Sequence, residues 1–226
     1  DTGKKYFMKL TQTPFPSTQY MAEEHPKSQI YLHHTAGNHN PFEVFTYWAG
    51  NPERIATCVT VGNLAKPGAN WQDGEVVQGY SSKYWAYHLG LKESTFHNFN
   101  IPYKSLDRIS IGIEICCWGQ LTLQNGKFYN WVNKEVPANE VCELATPHRG
   151  FKYYHNYTDA QIAAVHELLM LWKQKYNIPL TYHPDIWDVC PRALKGEPGV
   201  YTHNSVRYDK VDVYPHPRLI QMLQSL

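Results

Sequence analysis

The segment Ile109–Cys117 is apolar at nearly every position, and this constrains the fold more than any other stretch of the chain. A strand that shows no alternation of apolar and polar residues must be covered on both faces, which calls for a sheet buried between other layers. Its single charge, Glu114, is therefore conspicuous. Carboxylates are rarely buried unless something engages them. Glu114 needs either a basic partner, with Arg108 and Arg54 as candidates, or a chemical task.

The rest of the chain supplies the covering layers. Gln29–His34 is a short β-rich run ended by the turn signal Thr35-Ala36-Gly37-Asn38. Pro41 to Gly50 has helical spacing, with proline in the first turn and glycine just after the end. Ile55–Val61 and Glu75–Tyr80 read as two further strands that pair. Thr158 and Gln161 form a capping box, and the helix behind it places Ile162, Val165, Leu169, Trp172 and Tyr176 on one face before Pro179 stops it. Pro217 to Leu226 is a short amphipathic helix. Residues 118–157 read as a long irregular insertion, with one hairpin turn at Asn125-Gly126. The expectation is a single α/β domain with a central mixed sheet flanked by helices, spanning 28–226, with residues 1–27 as an arm packed against it.

Composition narrows the function classes. A net charge of +1 gives no basic face for nucleic acid. No segment approaches the roughly 20 apolar residues that span a bilayer, and no charged start followed by an apolar run marks a secretion signal. Five cysteines without a Cys-x-x-Cys pair argue against a disulfide framework and against a cysteine-rich zinc module.

Two histidine-bearing segments carry the candidate chemistry: Ile30–Gly37, with the doublet His33-His34 at a strand end, and the polar loop Thr202–Asp212. A catalytic zinc takes three protein ligands from His and Asp or Glu, leaving one position for water. One histidine of the doublet with His203 and Asp212 supplies such a set; strand alternation allows only one of the two to face the ion and does not say which. A rival set, His183, Asp185, Asp188 and Cys190, lies just upstream.

Read with Trp85-Ala86-Tyr87-His88-Leu89-Gly90 and Ser110-Ile111-Gly112-Ile113-Glu114, these segments resemble, in order, the type 2 N-acetylmuramoyl-L-alanine amidases. That zinc family includes phage endolysins and the peptidoglycan recognition proteins. The resemblance runs from about Gln29 to the C-terminus and implies that fold. It implies zinc held by His33, His203 and Asp212, Glu114 as general base, and Lys210 as stabiliser of the developing oxyanion. It implies a substrate groove lined by His88, with Trp85 and Asn38 as weaker candidates. Where many relatives carry His or Tyr in the second strand, this chain has Cys58-Val59, which places more of the burden on Glu114 and Lys210. The implied partner is peptidoglycan or a muropeptide, with activity on the bacterial wall in the manner of an endolysin or autolysin. The alternatives are an intracellular amidase recycling anhydro-muropeptides and a non-catalytic peptidoglycan-binding module.

Overall fold

The computed structural model describes residues 8–226. Eleven strands form two sheets: β1 Leu10–Gln12, β2 Gln29–His34, β3 Val59–Val61, β4 Val76–Gln78, β5 Ser110–Ile115, β6 Gln120–Gln124, β7 Lys127–Tyr129, β8 Glu135–Val136, β9 Val141–His148, β10 Phe151–His155 and β11 Gly199–Thr202. The helices are α1 Pro41–Ala49, α2 Glu93–His97, α3 Leu106–Ile109, α4 Asp159–Tyr176, α5 Pro191–Leu194 and α6 Pro217–Gln224. Short 3-10 turns at Pro184–Trp187 and His203–Ser205 flank β11. This is the expected single α/β domain with a central mixed sheet and flanking helices.

The central sheet has the order β1-β4-β3-β5-β2-β11. Its middle strands β3, β5, β2 and β11 run parallel, β4 is antiparallel to β3, and β1 runs parallel to β4. All six residues of β5 are buried, which is why that segment reads as a nearly continuous apolar run, and all six of β2 are buried as well. Four parallel strands put four C-terminal ends on one edge, the edge where open α/β sheets place their ligands. His33 pairs in register with Glu114, so the two side chains leave the same face of the sheet side by side.

Helix α1 packs on β3 and β4 through Val44, Phe45 and Trp48, and α4 packs on β3 and α6 with Ile162, Val165, Leu169 and Trp172 buried. The capping box at Thr158 is present, and Gln161 does more than cap. Its amide donates to Val61 O at 3.0 Å and Cys116 O at 2.8 Å, while its oxygen accepts from Thr158 N and Asn63 Nδ2. One buried amide thus joins the start of α4 to the ends of β3 and β5. A second buried group, the Lys27 ammonium, is satisfied by the carbonyls of Tyr84, Arg108 and Ser110.

The structure differs from the sequence reading in three places. Residues 118–157 are not irregular: β6 to β10 build a second, antiparallel sheet in the order β8-β7-β6-β10-β9. Apart from the eight-residue β9 its strands are short, and their buried apolar side chains are sparse, Leu121, Val136, Leu144 and Tyr154, so no periodic run announces them. The expected strand Ile55–Val61 shortens to Val59–Val61, Ile55 making an isolated bridge to Tyr87, because Ala56 N turns away to bond Tyr87 O. Of the expected arm, residues 1–7 lie outside the described residues, and Leu10–Gln12 forms the edge strand β1.

All five cysteines are free, and no helix among the described residues is long and apolar enough to cross a membrane. Truncating Gln161 would strand two buried carbonyls and remove a cap. Gln161→Ala is expected to lower unfolding stability by about 2–4 kcal/mol, read from the urea midpoint; an unchanged midpoint would show that the carbonyls find other partners.

Candidate metal centre

His33 is the penultimate residue of β2, His203 begins the turn after β11, and Asp212 closes the loop that follows. Asn204 folds that loop back: its backbone N bonds Asp212 O at 3.2 Å and its side chain donates to Val213 O at 2.6 Å. The result brings three ligand atoms together in a buried position. His33 Nδ1 lies 3.1 Å from His203 Nδ1 and 3.4 Å from Asp212 Oδ2, and His203 Nδ1 lies 3.2 Å from the same oxygen.

The remaining ring nitrogens show what those three atoms are. His203 Nε2 faces the Leu89 carbonyl at 2.8 Å, an acceptor, so the proton sits on Nε2 and the lone pair on Nδ1. His33 Nε2 faces His88 Nδ1 at 2.9 Å, and His88 Nε2 faces Ser110 Oγ at 2.8 Å. The Asp107 carboxylate, 3.8 Å from His88 Nε2, favours the proton there. Asp107 is itself fixed by the backbone N–H groups of His88 and Leu89. In that arrangement His33 donates from Nε2 to His88 and presents the Nδ1 lone pair to the triangle. Three acceptors therefore face one another without a hydrogen between them, an arrangement that calls for a cation. Ligands about 2.0–2.1 Å from a tetrahedral zinc sit about 3.3–3.4 Å apart. The observed edges match that spacing, and the donor set, two imidazoles and a carboxylate, fits zinc.

Electrostatics agree with a ligand role. Burial, together with neighbouring His203, lowers the His33 imidazole to about 4, so it is neutral at pH 7 as a ligand must be.

Structure also decides which histidine of the doublet joins the triangle. His34 turns to the opposite side, where its Nδ1 meets Tyr157 Oη at 2.7 Å among Tyr154, Tyr157 and Tyr214. The rival set is not gathered: Arg192 holds Asp185 in a two-pronged ion pair, Arg149 holds Asp188, and Cys190 is buried. One other cluster of metal-ligating types exists among the described residues, His39, Glu140 and His155. There, His155 Nδ1 accepts the Trp118 N–H and its Nε2 donates to Glu140, which leaves His155 no free lone pair.

Glu114 is buried on the strand next to His33, and among the described residues no group hydrogen-bonds or ion-pairs its carboxylate. Burial and the nearby Asp212 push it well above the usual carboxylate range, with Lys210 working the other way. The basic partners considered from sequence are elsewhere: Arg54 reaches Met21 Sδ and Arg108 stacks over Trp85. Lys210 is half-buried, has no ion-pair partner among the described residues, and lines a 420 Å³ pocket with His88 and His203.

His88 is buried with both ring nitrogens engaged, its Nδ1 2.9 Å from where a Gly112 Cβ would stand; any side chain at Gly112 would displace the ring that orients His33. Trp85 is 4% exposed beneath Arg108, and Asn38 is exposed at the rim of a separate 810 Å³ groove. The sequence reading missed Tyr87, Tyr103 and Arg207, which complete the 420 Å³ pocket. Arg207 bonds the carbonyls of Leu89 and Gly90 and pairs with Asp209, clamping the His88 and His203 loops together. No local pattern marks these residues, because the contacts join segments over 100 positions apart.

Comparison with solved structures gives the same fold at low identity. The PlyG catalytic domain superposes with a TM-score of 0.53 at 13% identity, covering 96% of this chain and 93% of that one. A mutant endolysin from Bacillus subtilis gives 0.53 at 15%, covering 96% and 97%. A selenomethionine derivative of AmpD gives 0.51 at 16%, covering 96% of each chain. Curated protein sequences give no match. The sequence model of the N-acetylmuramoyl-L-alanine amidases matches residues 23–217, most of the chain and every residue of the triangle. The chain belongs to the N-acetylmuramoyl-L-alanine amidase family.

Proposed function

We propose that this protein is a zinc-dependent amidase that hydrolyses the bond between the lactyl group of N-acetylmuramic acid and L-alanine, and that it acts on the bacterial cell wall as a lytic enzyme. The observation that carries the reading is the triangle of His33 Nδ1, His203 Nδ1 and Asp212 Oδ2, with the unpartnered Glu114 carboxylate on the adjoining strand.

His33, His203 and Asp212 hold the ion, and His88, Ser110 and Asp107 keep the His33 lone pair turned toward it. A zinc ion held there supplies Lewis-acid chemistry, acidifying a water molecule and polarising the amide carbonyl. Glu114 accepts the proton of the attacking water on its carboxylate and passes it to the nitrogen of the departing L-alanine. Its lack of any other partner leaves both oxygens free for that exchange. The Lys210 ammonium donates to the amide oxygen as negative charge builds there. Arg207 holds the wall of the pocket in place around the substrate.

Incubated with purified sacculi, the protein is expected to release peptides with new N-terminal L-alanine. A strong chelator should stop that release and added zinc restore it; wall clearing that survives complete metal removal would contradict the reading. Glu114→Ala is expected to retain one zinc per chain while kcat falls about 10²- to 10⁴-fold. His203→Ala should lose both metal and turnover. Elemental analysis beside rate measurement checks the pair, and a fully active Glu114→Ala would remove Glu114 from the mechanism.

A further inference from the structure

A groove of 810 Å³ opens on residues that follow β2, β3 and β5, the first carrying His33 and the last Glu114. Asn38 and His39 come from the turn after β2, Trp118 from the turn after β5, and Lys66 and Trp71 from the loop after β3. Its volume falls within the roughly 300–1,000 Å³ of small-molecule sites. The second sheet closes one side with Lys134 and Glu135.

We propose that this groove is a saccharide subsite that holds the glycan beyond the muramyl residue bearing the scissile amide, built on Trp71 and Trp118 and extended by Trp131. The inference rests on the amidase reading for the identity of the polymer. The amide to be cut joins a peptide to one muramyl residue of a longer glycan, so a strand needs a surface beyond the 420 Å³ pocket at His203 and Lys210. The groove at Asn38 and Trp118 supplies it.

Three observations select a sugar for it. The indoles are fixed before any ligand arrives: Trp71 Nε1 donates to Asn63 O at 2.9 Å, and Trp131 Nε1 donates to Ala36 O at 2.6 Å, two residues before Asn38. Trp131 is nevertheless 62% exposed, a large rigid ring held in place and mostly open to solvent. Such a face loses little freedom on binding. Second, Trp118 lies 6.1 Å from the His39 ring, and its backbone N–H is held by His155, so the half-buried ring is part of a built wall. Third, the charged groups lining the groove are of both signs, Lys66 and Lys134 against Glu135 and Glu140. Opposed charges give no net field to draw an acidic stem peptide. Pyranose rings, with apolar C–H faces and hydroxyl edges, match flat indoles surrounded by mixed polar groups.

The subsite gives the second sheet a task, since Trp118, Trp131, Lys134 and Glu135 all belong to that region. It also favours polymeric glycan over short soluble fragments, because a fragment with a single muramyl residue leaves the groove empty.

The test uses the full chain and a neutral probe, the N-acetylglucosamine tetramer. Saturable quenching of tryptophan fluorescence is expected for the unaltered protein, weakened about three- to tenfold in Trp131→Ala and Trp118→Ala. Turnover of sacculi should fall by a similar factor in both variants, with the rate on a soluble muramyl tripeptide unchanged. Trp131 is exposed and carries no core packing, so its variant tests the subsite even where Trp118→Ala disturbs the fold. Failure of the unaltered protein to bind the tetramer would overturn the proposal, as would equal losses on sacculi and tripeptide. The binding measurement needs no turnover, so its failure is distinct from failure of the amidase reading, which shows as no release of L-alanyl peptide.

Discussion

Three lone pairs pointed at one another, two imidazole nitrogens and a carboxylate oxygen within 3.1–3.4 Å, are the constraint on which the rest of the site depends. Without a cation the arrangement is repulsive, since no hydrogen stands between the acceptors. Ordinary packing offers no reason to bury such a set together. The surroundings are instead arranged so that it persists. Leu89 O fixes the tautomer of His203, while His88 fixes that of His33 and is itself set by Ser110 and Asp107. Oriented imidazoles of this kind are the usual second layer of a metal site.

The fold accomplishes this with a few long-range joints. Parallel pairing of β2 with β5 and β11 brings His33, Glu114 and the His203 turn to one edge of the sheet. Gly112 leaves room for the His88 ring, and Arg207 ties the loop carrying Leu89 to the loop carrying His203. Glu114 sits in a strand buried on both faces, in direct register with a candidate ligand and without a partner among the described residues. A buried, unpaired carboxylate is costly to maintain for structure alone, and proton exchange is a sufficient reason for its presence.

The sequence made some of this legible and hid the rest for physical reasons. The apolar run around Glu114 announced a doubly covered strand, and Thr158 with Gln161 announced the start of α4, because both signals are local. Residue types offered one histidine of the doublet with His203 and Asp212 beside a rival set, and family resemblance selected His33, since their convergence depends on pairing between β2 and β11. Periodicity could not choose between His33 and His34; that required knowing which face of β2 meets the His203 turn. The second sheet escaped notice because its short strands bury one face sparsely, and β1 because a three-residue edge strand is held by backbone pairing rather than by side-chain pattern. The burial of His88 was hidden for a related reason: it follows from Gly112 and Ser110 on a strand more than 20 residues away.

The most direct test is anomalous diffraction at the zinc edge from crystals grown with the metal. The account predicts one strong peak per chain within about 2.0–2.2 Å of His33 Nδ1, His203 Nδ1 and Asp212 Oδ2. A peak at His183 and Cys190, or at His39 and Glu140, or no peak at the triangle, would contradict it.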